Sequence, residues 1–203
     1  MVPKKKKMSR KEILENIAKN KPSGEYKLPD LNINTQKGKA AEKFEGIMPK
    51  VSAKFEKAKD YIAVTEVIRK HFSGDIRIVN LIEKVNIQGI DVSKLKNIKE
   101  LDLLDLAIIK GDLAVAENGA IWVSDKNLPH RILPFICENL ILVIDKKNIV
   151  NNMHEAYRLQ NNLDYDYGVF IAGPSKTADI EQSLVVGAQG PRNMMVILVE
   201  NQD

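Results

Sequence analysis

Two short stretches carry the residues whose types and spacing could do chemistry. The first is Ala116-Glu117-Asn118-Gly119. A carboxylate held in a tight turn at a strand end can act as nucleophile or general base when its pocket tunes it. Glu117 is therefore the candidate catalytic residue, with Asn118 and Gly119 beside it as candidate ligand contacts. The same four residues also read as a plain hairpin turn. Val115 precedes them, Ile121-Trp122-Val123 follows, and Asn-Gly supplies the positive φ angles of a two-residue turn. On spacing alone the turn reading prevails.

The second stretch is VFIAGPSKTADIEQSLVVGAQGPR, from Val169 to Arg192. An apolar strand-like run enters Gly-Pro-Ser, and the spacing then predicts a helix over 175–189. At 100° per residue, Ala178, Ile180, Leu184, Val185 and Ala188 share one broad face. Thr177 and Glu181 fall near the middle of that face, while Asp179 and Gln182 fall opposite. In an open α/β sheet, a helix that follows a strand begins at the crevice where ligands bind. Its first amides would favour a carboxylate or phosphate. Gly173 would permit close approach, and Ser175 could cap. The candidate ligand-binding set is thus Asn118, Gly119, Gly173, Ser175, Thr177, Asp179 and Glu181. For Ser175 and Asp179, capping and complementing the helix dipole account for the residues without a ligand. For Glu181 two readings stand: a paired buried carboxylate, or direct contact with a small anion.

Other chemistries lose support. His71, His130 and His154 lack metal-ligand spacing to one another, so no metal site is expected. Gly-Lys-Ser/Thr, GxGxxG and GxSxG motifs are absent, which removes most support for ATP, nicotinamide and serine-hydrolase readings. The single cysteine, Cys137, lies in the apolar run ILPFICENLILVID and reads as a buried hydrophobe. It cannot by itself hold an iron–sulfur cluster, so no cofactor is expected in this chain.

These residues need elements to position them. At 203 residues the chain has room for one domain with an appendage. Eight basic and two acidic residues give residues 1–21 a net +6; the whole chain is +4, so the rest carries −2. The basic character is a tail, without interleaved aromatics, and nucleic-acid binding is not expected. Neither a secretory signal nor a membrane span is expected, and the default location is the cytoplasm. Ser9-Arg-Lys-Glu12 reads as a capping box before a short helix, and residues 21–36 read as a linker. This sets an expected division into 1–36, a basic tail with capped helix and linker, and 37–203, the main domain.

From residue 37 strands and helices alternate. DYIAVTEVIRKHF reads as a helix with Ile62, Val64, Val67 and Ile68 inward, and NLILVID as a buried strand. NIVNNMHEAYRLQNNL is amphipathic, YGVFIA is a strand, and NMMVILVE is a final strand. The alternation predicts an α/β fold with helices on both faces of the sheet. The Asn-Gly hairpin makes that sheet mixed.

The combined segments resemble a known family. GPSKTADIEQSLVVGAQGPR resembles the closing signature of the LUD domain family, in its lactate utilization protein C branch. GDLAVAENGAIWV is similar to the strand-turn-strand segment of that family, and LPHRILPFICENLILVID to the segment that follows. The resemblance covers about 105–200 strongly and the first hundred residues weakly. There are two departures. Gln189 stands where the family has His, which puts a proton-transfer or metal role there in doubt, and Glu117-Asn118-Gly119 replaces Glu-Thr-Gly. The resemblance implies a three-layer α/β/α fold like that of the sugar-phosphate isomerase and coenzyme A transferase superfamily. It also implies a non-redox component of L-lactate oxidation to pyruvate, working with iron–sulfur partner subunits and holding a small anionic ligand. Two alternatives stay open: an acyl- or coenzyme A-transferase-like or sugar-phosphate-type enzyme using Glu117, and an assembly or regulatory subunit without a ligand.

Overall fold

The computed structural model describes residues 9–21, 38–160, 165–180 and 183–201. The chain divides into two units, Met1–Asn34 and Thr35–Asp203. The first unit contributes helix α1 (Arg10–Lys19). Its capping box forms: Glu12 N donates to Ser9 Oγ at 3.2 Å, and Ser9 N donates to Glu12 Oε2 at 2.7 Å. None of the residues of α1 is buried.

The second unit runs α2 (Ala40–Ile47), β1 (Lys54–Ala58), α3 (Tyr61–His71), β2 (Ile78–Asn80), β3 (Leu106–Lys110), β4 (Leu113–Val115) and β5 (Ile121–Ser124). It continues with α4 (Leu133–Ile136), β6 (Asn139–Asp145), β7 (Ile149–Val150), α5 (Met153–Gln160) and β8 (Gly168–Ile171). It ends with β9 (Lys176–Ile180), β10 (Ser183–Val186) and β11 (Asn193–Val199). Five strands make a wholly parallel sheet in the order β1-β11-β6-β3-β2. Four more make a separate sheet, β7-β4-β5-β8, in which β4 pairs parallel with β7 and β5 pairs antiparallel with β4 and β8. The fold is α/β, but the expected single mixed sheet is divided: the larger sheet is wholly parallel, and the antiparallel pairs lie in the four-stranded sheet and in a separate β9–β10 pair. The segments IWVS and GVFI are rich in β-branched and aromatic residues, which favours strands where helical crossovers would otherwise run.

Alternation along the central strands explains the burial of both faces. Leu106 and Ile108 of β3, Ile141 and Val143 of β6, and Ile197 and Val199 of β11 face Tyr61, Val64 and Ile68 of α3. Their neighbours Ala107, Ile109, Leu140, Leu142, Val196 and Leu198 join Phe44 of α2, Met48 directly after it, Leu133 of α4, and Ala114, Ile121 and Val123 of the smaller sheet. Trp122, Leu113 and Val115 lie on the outer face of that sheet with Ala156 of α5. The helix over 61–71 forms as expected, but Ile62 does not face inward: it is 73% exposed. The inward stripe runs through Tyr61, Val64, Thr65 and Ile68, an i, i+3, i+4, i+7 set that leaves position 62 outside.

The largest correction concerns 175–189. Among its described residues no helix forms. β9 and β10 pair antiparallel instead, with Lys176 opposite Val186, Thr177 opposite Val185, and Ile180 opposite Ser183. Over so short a window the apolar residues satisfy both a 3.6- and a 2-residue period. The β-branched Thr177, Ile180, Val185 and Val186 favour the strand.

Candidate functional site

The turn after β4 is wider than a two-residue hairpin. Gly119 adopts φ 72°, but Asn118 is not among the positive-φ residues. Gly119 N donates to Val115 O at 2.9 Å, and Asn118 Oδ1 accepts from Ala120 N at 3.0 Å. Asn118 therefore closes the turn with its side chain. Glu117 is exposed, and its Oε2 accepts from Met153 N at 3.1 Å, at the first residue of α5. That geometry satisfies one of the unpaired amides at a helix start.

Gly119 and Gly173 meet the same segment, the turn that follows α2. A Cβ on Gly119 would lie 2.9 Å from Met48 Cε and 3.0 Å from Ile47 Cγ2. A Cβ on Gly173, whose φ is 78°, would lie 1.9 Å from Val51 O. Lys176 Nζ also donates to Val51 O, at 2.9 Å. Residues 47–51 thus occupy space between the two turns. Ser175 is tied elsewhere: its N donates to Pro191 O at 2.9 Å, and its O accepts from Gly187 N at 3.0 Å. Gln189 is exposed in the same 187–191 turn. Thr177 and Asp179 lie on β9, with no helix start to give them a local positive field. Glu181 lies outside the described residues.

A polar cluster that sequence reasoning missed lies at the carboxyl end of the parallel sheet. Asp145 closes β6 and is only 1% exposed. Tyr61 Oη, from the first turn of α3, donates to Asp145 Oδ1 at 2.8 Å. Lys110 closes β3, and its Nζ stands 3.2 Å from Asp145 Oδ2. That distance pairs the charges, but Oδ2 makes no hydrogen bond. Lys84, four residues past β2, places its Nζ 5.5 Å from the centroid of the Tyr61 ring, and Lys110 Nζ lies 5.6 Å from it. Tyr61 and Lys84 come from the segments after β1 and β2, and Lys110 and Asp145 from the last positions of β3 and β6.

Burial is the main cause that raises the Tyr61 pKa above the ordinary phenol value, reinforced by its bond to Asp145. For Lys110, burial works to lower the pKa, but Tyr61 and Asp145 outweigh it and hold the ammonium above its ordinary value. The result is a neutral phenol and a cationic Lys110 around a buried acidic side chain. Tyr61 also walls a pocket of about 270 Å³ with Asp60, Ile62 and Lys84. Asp60 Oδ1 accepts from Ala63 N at 2.8 Å, as the N-cap of α3. One signal could have found this cluster. LAIIK and NLILVID are both apolar strand runs that end on a charge, Lys110 and Asp145.

Two hollows lie at the opposite, amino end of the parallel strands. One, about 220 Å³, is lined by Lys54, His71, Asn139 and Asn193, among others. Its polar groups engage the protein: Asn193 Nδ2 donates to Asn139 Oδ1 at 3.0 Å, and His71 Nε2 lies 2.9 Å from Glu56 Oε1. The other, about 450 Å³, includes Leu103, Phe135, Glu138, Gly187 and Arg192. Among the described residues no group of three or more His, Cys, Asp or Glu could hold a metal ion. Among them, too, no helix is long and apolar enough to cross a membrane.

A parallel sheet with polar side chains gathered beyond its strand ends defines the α/β class whose ligands sit in a carboxyl-end crevice. Within that class the chain belongs to the LUD domain family, whose pattern matches residues 10–199. It is similar to Lactate utilization protein C of Shouchella clausii (strain KSM-K16), with 31% identity over 112 residues, 53% of this chain and 49% of that protein. It is likewise similar to Lactate utilization protein C 1 of Bacillus mycoides (strain KBAB4), with 32% identity over 115 residues, 54% of this chain and 49% of that protein. The chain thus spans about half the length of these curated relatives. A crystal structure of a DUF162 family protein from Deinococcus radiodurans shares the fold, with a TM-score of 0.57 and 17% identity over 82% of this chain and 99% of that one.

Proposed function

We propose that this chain is a non-redox component of a system that oxidises L-lactate to pyruvate. It works in the cytoplasm beside iron–sulfur subunits and holds a small anionic ligand. The observation that carries this reading is the LUD match over residues 10–199, together with the relatives named Lactate utilization protein C. The state of Cys137 supports the non-redox part. The thiol is 2% exposed, and burial pushes its pKa up to about 12, far from the thiolate that a cluster ligand requires. In this reading the iron–sulfur clusters belong to partner chains. The test is growth on L-lactate as sole carbon source. A host strain lacking the gene grows poorly on L-lactate and normally on glucose, and a plasmid copy restores growth. Affinity-tagged chain from the restored strain co-purifies with iron–sulfur subunits. Unimpaired growth of the deletion strain on L-lactate overturns the proposal.

A further inference from the structure

Strand β8 leaves one edge of the smaller sheet open. In an antiparallel pair, residues whose backbone bonds the neighbouring strand alternate with residues whose N–H and C=O face away. Asp125 N donates to Tyr167 O at 3.0 Å, and the register of β5 and β8 continues from that pair: Val123 lies opposite Val169, and Ile121 opposite Ile171. Val169 and Ile171 therefore turn their backbone groups toward β5. Those of Gly168 and Phe170, and of Ala172 just past the strand, point outward. Among the described residues nothing hydrogen-bonds to them.

The residue types leave that edge unguarded. Free edges in folded proteins commonly carry Lys, Pro or a bulge that turns a further strand away. β1, at one edge of the parallel sheet, follows this rule with Lys54, Glu56 and Lys57. β8 reads Gly-Val-Phe-Ile with Ala172 after it, and has neither charge nor proline. Gly168, Val169 and Phe170 are only partly buried, whereas every residue of β5 beside them is buried. The uncovered part is aromatic. Phe170 stands opposite Trp122 on the outer face, with ring centroids 4.7 Å apart. Tyr157 of α5, 54% exposed, meets the Phe170 ring edge-on at 5.8 Å. The row that starts at Trp122 runs to the edge and stops there.

An antiparallel edge is its own complement, because two identical strands meet about a twofold axis with each donor facing an acceptor. With Phe170 on the axis, it faces Phe170 of the second copy, and Gly168 faces Ala172. All three are positions whose backbone groups point outward, so every facing pair is of the hydrogen-bonded kind. No like charges stand opposite one another. The aromatic row continues across the axis, and directly opposed aromatic side chains stabilise a sheet. We propose that two copies of this chain pair antiparallel through β8, joining their smaller sheets into one continuous sheet with Phe170 at the twofold.

The experiment is light scattering on the full chain across a micromolar-to-millimolar concentration series. The mass is expected to rise from 22.8 kDa toward twice that value. In parallel, amide exchange followed by NMR slows at Gly168, Phe170 and Ala172 as the dimer fills, while Val169 and Ile171, bonded to β5 in either state, change little. Phe170→Lys and Phe170→Glu set like charges face to face, so each alone is expected to stay at 22.8 kDa. Mixed in equal amounts, these two variants recover the doubled mass, because position 170 faces itself. Ala172→Pro removes one outward amide at an exposed position without touching a bond to β5, and it too loses the dimer with Phe170 left in place. The inference is overturned if the mass stays at 22.8 kDa throughout, or if the doubled mass persists in Ala172→Pro and both Phe170 variants. It is equally overturned if the two Phe170 variants, folded by circular dichroism, do not recover the dimer on mixing, or if the outward amides gain protection only with a different protein.

Discussion

Asp145 shows what single residues contribute here. A carboxylate withdrawn from water is costly unless it is paired and hydrogen-bonded, and Asp145 has both: Lys110 Nζ at 3.2 Å and the Tyr61 phenol at 2.8 Å. The pairing has a measurable signature in alkali. The pKa values of Tyr61 and Lys110 are both raised by folding, so each group holds its proton in the folded state at a pH where the unfolded chain has lost it. Where the folded state binds more protons, stability falls as pH rises. Their contribution is complete below about pH 10 and declines above it, as pH climbs through the raised folded values. Urea midpoints measured from pH 8.5 to 11.5 are expected to drop over the alkaline part of that range, and Tyr61→Phe shows a smaller drop. A midpoint that rises with pH refutes the assignment.

Among elements, the β9–β10 pair departs furthest from its local sequence pattern. The apolar positions of 175–189 suit a helical face in sequence, but the stretch is closed by glycines in the left-handed region, Gly173 at φ 78° and Gly187 at φ 80°. Gly173 is held there by contact as well as by conformation, with Val51 O where a Cβ would stand. Gly173→Ala is therefore expected to cost about 3 kcal/mol or more, combining strain with a backbone clash. Gly74→Ala, at φ 100° with open space around it, carries the conformational strain alone and costs about 1 kcal/mol. Chemical denaturation of the two variants side by side measures the difference; equal losses would mean that the Val51 contact has no weight. The same contact explains why the site residues read from sequence were only partly gathered. Gly119 and Gly173 do converge, but on residues 47–51, which sequence spacing could not place between them. Glu117 was legible as a carboxylate in a turn, whereas its partner, the Met153 amide, is 36 positions away in the chain.

For the whole molecule, the division into an N-terminal appendage and a main domain has a direct test. Among the described residues, the hydrophobic clusters of buried side chains begin at Phe44, and α1 buries none of its residues. A chain beginning at residue 37 is expected to unfold cooperatively with a Tm within a few degrees of the full chain. Loss of cooperative unfolding on that truncation would place residues 1–36 inside the folding unit.

Local sequence determined what depends on local physics. Ser9 and Glu12 form their capping box because both partners lie within one helical turn. NLILVID is a buried central strand because only a site covered on both faces can absorb so continuous an apolar run. The α/β class follows from the same alternation, and the family is carried by several local segments in combination, none of which is specific alone. Tertiary structure alone decided what depends on contacts between distant positions. It chose strand over helix for 176–186, where two periods fit equally well and the antiparallel partner settled the choice. It also brought Tyr61, Lys84, Lys110 and Asp145 together from the carboxyl ends of four strands, because parallel strands, far apart along the chain, end at one edge of a common sheet.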